Sequence, residues 1–590
     1  MLRIIFSSLF AVLGLYSFAQ PDVINTEGKG NREIEPAFRI TEAPKIIDSI
    51  KVTPVASYPT LVFQAKTKIS LDTIEAATVE TTEKLKQIYP FYLKAGMGSS
   101  LMPLGEFYVN NTRSRGYHYG LHAQHISAFG KVKDREGNVF APANFDRTNV
   151  RAFGKILQNN YHLIGSAHYM NDGFHYYGIP NENLSKDSLS QRFQQAGGSV
   201  DFLHNLSDTT VINYKLSAAY NYFGTKKNII DSLADWRAKE HAFQFNAKAW
   251  YKFFEETFYG NLGVRYNGFR YGIADSTLSI PINDTLSMAV DSGLVLNNTI
   301  IDFRPGVLSE LLDKRLKVDV GLALAVDIHR ATKVYVYPQV HLSFAVYENV
   351  FVPFVGVTGG LQQNTFKSLS AVNPFLLNNA LLQNEHNPFQ VYGGFKGTLS
   401  KRISFNTNIS YGRFMSRALF VNQALPDPQN DTLFVSGNKF GVIYDTLNQM
   451  KIEANFAYQM NEKLKIDAIG RFYSYETKNQ AFAWNLPQLQ LILRGSYNLF
   501  DKFLLNIDGI LEGGRKALVY GPGSKVTVEN GQYYKDLGFI ADFNLGFEYR
   551  YNQRISAFIQ FNNFAAQRYN RWYNYPVLPF QVMGGITARF

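Results

Sequence analysis

Two histidines and a pair of adjacent glutamates are the side chains of this sequence that most suggest a metal site or acid–base catalysis. His118 and His122 are four positions apart in a predicted strand and share one face of it. Residues four apart on a strand are separated by about 13 Å, so these imidazoles cannot bind one ion without a further element. Glu255 and Glu256 fall in a predicted tight turn, where exposure to solvent explains them better than acid–base catalysis.

The rest of the sequence offers no other catalytic or cofactor motif. The chain contains no cysteine, which excludes thiolate metal sites, cysteine nucleophiles and disulfide scaffolds. Two glycine pairs, Gly359-Gly360 and Gly513-Gly514, lack the strand-to-helix context of a phosphate loop. The net charge of +11 is spread over the chain, which argues against binding to nucleic acid. We therefore predict no enzyme, no metal site and no cofactor.

One aromatic and basic patch lies close to the carboxyl terminus, in what we predict is the last outer loop and its flanks. It contains Arg568, Arg571, Trp572, Tyr573 and Tyr575. Aromatic side chains stack on sugars and arginine pairs with anionic groups, so the patch is a candidate contact surface for a sugar or for lipopolysaccharide. The alternative, which we favour, is an aromatic girdle of a membrane protein combined with ordinary loop charge.

The amino terminus has the pattern of a secretory signal peptide over Met1 to Ala19. Arg3 supplies the positive charge and Ile4 to Tyr16 supplies the apolar stretch. Ser17 and Ala19 are the small residues of a cleavage site, so residues 1–19 are predicted to direct export. No later stretch of about 18 apolar residues predicts a membrane-spanning helix.

The next segment, residues 20–88, differs in composition from everything after it. It is rich in Thr, Lys and Glu and is interrupted by five prolines, at positions 21, 36, 44, 54 and 59. Such a composition does not favour a packed core. We predict an extended segment that lies in the periplasm or enters the lumen of the following domain.

From Tyr89 onward, apolar and polar residues alternate with a period of two. In Leu316 to Asp327, the apolar face runs from Leu316 to Val326, and the other face carries Asp319 and Asp327. The same alternation recurs in Leu464 to Phe472, Phe503 to Leu511, Leu537 to Tyr549 and Ile555 to Phe561. Strict alternation predicts strands with one apolar and one polar face. These runs match the ~9–11 residues of a membrane-spanning strand rather than the usual ~5–6.

The connections between these strands alternate between short and long. The ten tight turns are Thr112 to Gly116, Gln158 to Asn160, Asn205 to Thr209, Phe254 to Thr257, Leu312 to Arg315, Tyr347 to Asn349, Leu399 to Arg402, Met460 to Lys463, Phe500 to Lys502 and Tyr551 to Arg554. Most connections between these turns are long and polar, for example 131–147, 367–388 and 422–449. Short periplasmic turns and long outer loops are typical of outer-membrane barrels. Ten turns and eleven loops predict about 22 strands, within a range of about 20 to 24.

Prolines and tyrosines lead to two further expectations. Because a closed barrel has no edge strand, we expect prolines to lie at strand ends. This applies to Pro305, Pro338, Pro353 and Pro487. Tyrosines close to strand ends suit the two aromatic girdles at the membrane interfaces. This applies to Tyr117, Tyr119, Tyr176, Tyr177, Tyr473 and Tyr475.

The last eleven residues form an amphipathic strand from Phe580 to Phe590. This segment resembles the carboxy-terminal strand of outer-membrane proteins, and the resemblance implies that Phe590 is recognised by the barrel assembly machinery. With 22 strands, residues 89–590 resemble the barrel part of TonB-dependent receptors. The chain departs from that family because the 69 residues from 20 to 88 are too few for a complete plug domain, and no TonB box is evident.

These observations predict an all-β protein of the outer membrane: a transmembrane antiparallel β-barrel. The resemblance implies uptake or transport of a solute. The alternative is a structural or accessory barrel that docks periplasmic or surface partners, with residues 20–88 as the docking arm. The expected partners are outer-membrane lipid, lipopolysaccharide, the barrel assembly machinery and a periplasmic or surface-lipoprotein partner.

Overall fold

A computed structural model of the chain describes residues 88–204, 211–226, 237–272, 278–283, 286–290, 293–347, 349–427, 430–461, 463–520 and 526–590. The predicted signal peptide, residues 1–19, lies outside the described residues. The predicted extended segment, residues 20–88, lies outside them too, except for Ile88.

The alternating runs of the sequence form the 22 strands of one antiparallel sheet. The first eleven are β1 (Phe91–Gly98), β2 (Met102–Asn110), β3 (Tyr117–Ala128), β4 (Phe145–Leu157), β5 (Tyr161–His175), β6 (Ser190–His204), β7 (Asn213–Thr225), β8 (Arg237–Phe253), β9 (Glu256–Gly272), β10 (Gly293–Leu311) and β11 (Leu316–Ile328). The others are β12 (Thr332–Phe344), β13 (Val352–Gln362), β14 (Glu385–Ser400), β15 (Ile403–Asp427), β16 (Asn430–Met460), β17 (Leu464–Thr477), β18 (Leu489–Leu499), β19 (Phe503–Gly513), β20 (Ile540–Arg550), β21 (Ile555–Asn562) and β22 (Gln581–Arg589). The predicted strand number is confirmed.

The sheet closes on itself because β22 pairs with β1. Gly96 is the register partner of Gly585 at this closing pair. A Cβ atom added at Gly585 would lie 2.1 Å from the carbonyl oxygen of Ala95, so the close approach requires glycine. Phe590 ends the chain here, and its ring stacks on that of Phe91 at 5.4 Å. Closure leaves no free edge at the two terminal strands, as a lipid-embedded sheet requires.

The two faces of the strands separate as the alternation predicts. In β11, Leu322 and Leu324 are exposed on the outer surface, while Asp327 is buried on the inner one. Asp319, on the inner face, accepts a hydrogen bond from the Tyr259 hydroxyl at 2.6 Å. The exterior is therefore apolar and the lumen wall polar, which is the arrangement of a barrel in a bilayer.

The long and short connections lie at opposite ends of the barrel. The predicted tight turns join the strands at the end that holds both Phe91 and Phe590. Residues 205–209, Glu348 and Glu462, which belong to three of these turns, lie outside the described residues. The long connections join the strands at the other end. The predicted loop 422–449 is wrong, because β15 and β16 continue through it as a hairpin of 25 and 31 residues. Short helices span Lys186–Leu189 and Phe366–Val372 in the described outer loops.

Among the described residues, no helix combines the length and the apolar character needed to cross a membrane.

The expectation that all four prolines lie at strand ends is correct for two and wrong for two. Pro353 is the second residue of β13, and Pro487 precedes β18. Pro305 lies inside β10, and the paired residues between β10 and β11 skip its position. Pro338 lies inside β12, two positions beyond Val340, the last residue that pairs with β13. A proline has no N–H to donate, so both interior prolines occupy breaks in the hydrogen-bond ladder.

The girdle expectation is correct for Tyr117 and Tyr119, which are exposed on the outer surface. It is wrong for Tyr176 and Tyr177, which pack in the interior of the outer end. It is also wrong for Tyr475, whose hydroxyl donates to the Pro487 carbonyl on the inner side. Alternation alone does not distinguish an aromatic residue at the lipid interface from one in an interior cluster.

Candidate functional site

The connection between β13 and β14, residues 363–384, folds over the outer mouth of the barrel, and we call it the cap loop. Its helix Phe366–Val372 begins at a capping box in which Thr365 and Ser368 satisfy each other's backbone N–H groups. The barrel wall holds this helix through Glu240 of β8. One carboxylate oxygen of Glu240 accepts from the Phe366 N–H at 2.6 Å and from the Lys367 N–H at 3.3 Å.

A buried aromatic and aliphatic cluster, which we call the mouth cluster, joins the cap loop to the surrounding strands and loops. From the cap loop it takes Phe366, Leu369, Phe375, Leu376, Ala380 and Leu382. From the strands and the other outer loops it takes Ala141, Phe174, Tyr176, Leu189, Phe193, Phe223, Ala238, Phe269, Phe420, Phe440, Trp572 and Tyr575. Burial of this much apolar surface is the main force that holds the cap loop in place.

The mouth cluster reaches from one side of the barrel to the other. β5 and β16 are eleven strands apart in a ring of 22, so they stand on opposite sides. Nevertheless, the side-chain amide of Asn438 in β16 donates to the carbonyl of Tyr176, just after β5, at 2.6 Å. The Tyr176 hydroxyl in turn donates to the carbonyl of Leu376 at 3.2 Å. Protein therefore spans the outer mouth.

The last outer loop, between β21 and β22, contributes to the same closure. The ring of Tyr575 stacks on that of Phe375 with centroids 3.6 Å apart. Its hydroxyl donates to the carbonyl of Asn438, and burial raises the pKa of this phenol, which keeps it protonated. A Cβ atom at Gly178 would lie 2.6 Å from the Tyr575 ring, so this glycine makes room for it.

The five residues of the predicted ligand patch occupy different environments. Trp572 is buried between the rings of Phe420 and Phe440, each 5.5 Å away. Tyr575 is fully buried and Tyr573 is partly buried against the same cluster. Arg568 is exposed, and Arg571 is half exposed while its guanidinium donates to Glu512 at 2.8 Å. Only the two arginines therefore present a large part of their side chains to solvent.

A buried ion pair anchors the last outer loop to the end of β19. The Arg515 guanidinium lies 3.0 Å from the Glu512 carboxylate, and both side chains are almost completely buried. Arg515 also donates to the carbonyls of Arg571 at 2.7 Å and Asn570 at 3.1 Å. Burial lowers the pKa of Arg515 to about 10, which still leaves it charged at neutral pH.

The lumen wall below the mouth carries cross-strand ion pairs. Arg147 of β4 binds Asp172 of the neighbouring β5 at 2.8 Å. Other pairs are Arg265 with Asp302, Arg417 with Glu385 and Arg471 with Glu453. A polar, charged wall of this kind suits water and hydrophilic solutes rather than lipid.

No group of three His, Asp or Glu side chains within the described part of the chain is placed to hold a metal ion. His122 instead interacts with Glu106 of the neighbouring strand at 3.0 Å. Glu255 is exposed in a turn between β8 and β9, as predicted.

The residues of the cap loop were missed as functional candidates, although a signal for them exists in the sequence. The predicted outer loop 367–388 contains Phe375, Leu376, Leu377, Leu381 and Leu382, which is unusually apolar for a loop exposed to water. Apolar residues at this density in a connection predict that it packs against something. The sequence does not say what that is.

Solved structures provide the comparison that identifies the fold. The siderophore receptor PirA from Acinetobacter baumannii matches with a TM-score of 0.60 at 11% identity, over 85% of this chain and 80% of that chain. The copper transporter OprC matches with a TM-score of 0.60 at 12% identity, over 85% and 80%. The ferric-catecholate import receptor Fiu from E. coli K12 matches with a TM-score of 0.57 at 10% identity, over 85% and 82%. The chain has the barrel fold of TonB-dependent receptors.

No family model and no curated protein matches the sequence. The shared feature is thus the TonB-dependent-receptor barrel itself, a closed ring of 22 strands with an apolar exterior. A closed barrel of this size and surface belongs in the outer membrane.

The contact between Glu240 and the cap helix gives a first prediction. Replacing Glu240 with Gln removes the charge that accepts two helix N–H groups in a buried site. We expect this change to destabilise the closed cap loop by about 1–3 kcal/mol, seen as faster hydrogen exchange in Phe366–Val372. Glu255→Gln, in an exposed turn, is the matched control and should leave this exchange unchanged. Unaltered exchange in the Glu240 variant would show that the carboxylate does not hold the helix.

Proposed function

We propose that the chain is an outer-membrane uptake barrel whose outer mouth is gated by the cap loop. The observation that carries this proposal is a protein closure held across the mouth by side-chain contacts above a charged, polar lumen wall. A closure made of loops can move, whereas a closure made of barrel strands cannot. Solute is captured at the outer loops, the cap loop opens, and the solute enters the lumen.

The solved structures of similar fold support uptake, rather than export, as the direction of transport. Their descriptions name a siderophore receptor, a copper transporter and an import receptor. We infer from them that this chain takes up a solute too large or too scarce to enter by simple diffusion through a small pore. The polar wall favours a hydrophilic solute.

We further propose that the last outer loop contacts the solute or lipopolysaccharide. Arg568 and Arg571 present guanidinium groups that pair with anionic groups, and Tyr573 offers an aromatic face at the edge of the mouth cluster. Trp572 and Tyr575 would act by holding the loop in position, since both are buried. Phe590, at the closing pair of strands, is the proposed assembly signal.

Solute flux into liposomes that contain the full chain tests this proposal. The same measurement is made on a chain that lacks residues 20–88. We expect selective flux of small hydrophilic solutes in at least one of the two preparations, above that of liposomes without protein. Absence of flux from both would contradict transport.

A second candidate is an accessory barrel that docks a periplasmic or surface partner. The observation that favours it is the long β15–β16 hairpin, which extends well beyond the last residues that pair with β14 and β17. Purification in mild detergent distinguishes the two candidates. A stoichiometric partner that is lost when residues 417–446 are shortened would favour docking, and a chain recovered alone would favour uptake.

A further inference from the structure

The barrel wall has a markedly incomplete strand pairing between β12 and β13. β11 and β12 pair along their whole length, from Leu316↔Phe344 to Ile328↔Thr332. β12 and β13 pair only over four positions, from Val340↔Val357 to Ser343↔Phe354. Residues 332–339, which form the outer half of β12, therefore have a paired neighbour on one side only. We call this the open edge.

The open edge exists because β13 bends into the lumen. The pairing of β13 with β14 shifts register between Thr358 and Gly360, and an irregularity of this kind bends a strand. Beyond that point Leu361 is buried against Ile300, Ala323, Ala325 and Tyr337, which belong to the inner faces of β10, β11 and β12. Arg265 of β9 donates to the Leu361 carbonyl at 3.2 Å, which fixes the bent end.

Side chains partly fill the space that β13 leaves beside β12. The His386 ring lies 4.3 Å from the Tyr335 ring and 5.6 Å from the Tyr337 ring. Gln339 donates to the Gly359 carbonyl at 3.3 Å at the lower limit of the gap. Aromatic contacts do not satisfy backbone groups, and the buried Tyr337 hydroxyl has no hydrogen-bond partner among the described residues. Pro338 removes one N–H from this region.

The missing backbone hydrogen bonds of the open edge matter because this edge lies within the membrane. β12 has only 13 residues between a tight turn and a short outer connection, so nearly all of it lies within the bilayer. Val334 and Val336 are 67% and 61% exposed on the outer surface, where they meet lipid. Along residues 332–339 alternate backbone groups point away from β11, and lipid chains offer them no hydrogen bonds.

We propose that the open edge is a docking site for an extended strand of another outer-membrane polypeptide. Such a strand adds to the sheet by backbone hydrogen bonds over about eight residues, with apolar residues at the alternate positions that face lipid. A lipid cannot fill this role because it lacks the donors and acceptors. A second copy fits less well, because two copies share one orientation in a membrane and their β12 strands would run parallel, the less stable arrangement.

The experiment uses the full chain in lipid nanodiscs and a synthetic octapeptide of alternating Thr and Val in which one central Val is replaced by cysteine. The peptide cysteine is activated as a mixed disulfide with thiopyridine, so that thiol–disulfide exchange with a protein thiol needs no added oxidant. The chain has no native cysteine, so Val336→Cys introduces a single reactive thiol at the open edge. Leu324→Cys is the matched control, because Leu324 is the register partner of Val336, faces the same side, and lies on a strand paired on both sides.

We expect the peptide to form a disulfide with Val336→Cys at least about fivefold faster than with Leu324→Cys. In the unmodified chain, we expect the peptide to slow hydrogen exchange at alternate amides of residues 332–339 by about tenfold, with no change in β11. Three results would overturn the proposal. They are equal disulfide formation at both positions, exchange at 332–339 that is already as slow as in β11 without peptide, and a Val336→Cys disulfide between two copies.

Discussion

Removal of residues 366–382 is expected to convert the barrel from a gated state, which opens only transiently, to a freely conducting one. This deletion takes away the cap helix and the Phe375–Leu376 contacts that reach β16 and the last outer loop. The ends can be rejoined by two glycines, because the Asn364 side chain already donates to the Gln383 carbonyl at 2.9 Å. A 22-stranded barrel is wide enough to conduct when nothing fills it, so we expect bilayer conductance to rise by about tenfold or more.

The deletion is made both in the full chain and in a chain that lacks residues 20–88, and conductance is recorded in planar bilayers. A matched control removes another outer-loop element, the hairpin Leu278–Asn283 and Leu286–Val290, which forms its own two-stranded sheet. We expect the control to conduct no more than the parent chain. If the cap deletion stays at background in both forms, the cap loop is not the barrier, and the gating part of the proposed function is wrong.

Strand number and strand faces were predictable because they depend on local regularities. Alternation of period two assigns Leu324 to lipid and Asp327 to the lumen without any tertiary information. Turn spacing gives the parity of the connections, since a barrel whose chain returns after every strand has its short connections at one end. Both regularities are repeated more than ten times along the chain, so a single irregular strand does not change the result.

The location of the cap loop over the outer mouth could not be predicted, because its contacts join residues that are distant in the sequence. Tyr176 and Leu376 are 200 residues apart, and Tyr575 and Asn438 are 137 apart. Tyr176 was assigned to a girdle because its own neighbourhood resembles a strand end, and only the fold shows that it lies over the lumen. Trp572 was assigned to a ligand patch or a girdle for the same reason.

The interior prolines carry information that alternation does not. Pro338 conflicts with a continuous closed sheet, and the β12–β13 ladder ends at Val340, two residues before it is reached. Gly359 and Gly360 lie at the bend of β13, where the register shifts. Pro338 in β12 and the two glycines in β13 therefore indicate the open edge. They can be interpreted in this way only once β12 and β13 are known to be neighbours in the sheet.

The buried ion pair at the end of β19 gives the second large effect. Glu512→Gln keeps the shape of the side chain but leaves Arg515 as a buried cation whose remaining partners are backbone carbonyls. Breaking a buried pair by removing one charge costs about 3–5 kcal/mol. Because Arg515 binds the carbonyls of Arg571 and Asn570, we expect local unfolding of the last outer loop, measured as faster hydrogen exchange over residues 566–578.

Two comparisons separate this effect from a general loss of stability. Glu310→Gln breaks a solvent-accessible pair with Lys317 at the opposite end of the barrel and should cost at most about 1 kcal/mol. The double variant Glu512→Gln with Arg515→Met removes both buried charges and should recover much of the protection, because no buried ion is left unpaired and Arg571, the other partner of Glu512, is half exposed. If the double variant is as unstable as Glu512→Gln alone, an unpaired buried charge is not the cause of the loss, and the contact between Glu512 and Arg571, which both variants lack, accounts for it. Since Arg571 belongs to the loop that carries Trp572 and Tyr575, either result measures how firmly β19 holds the closure of the mouth.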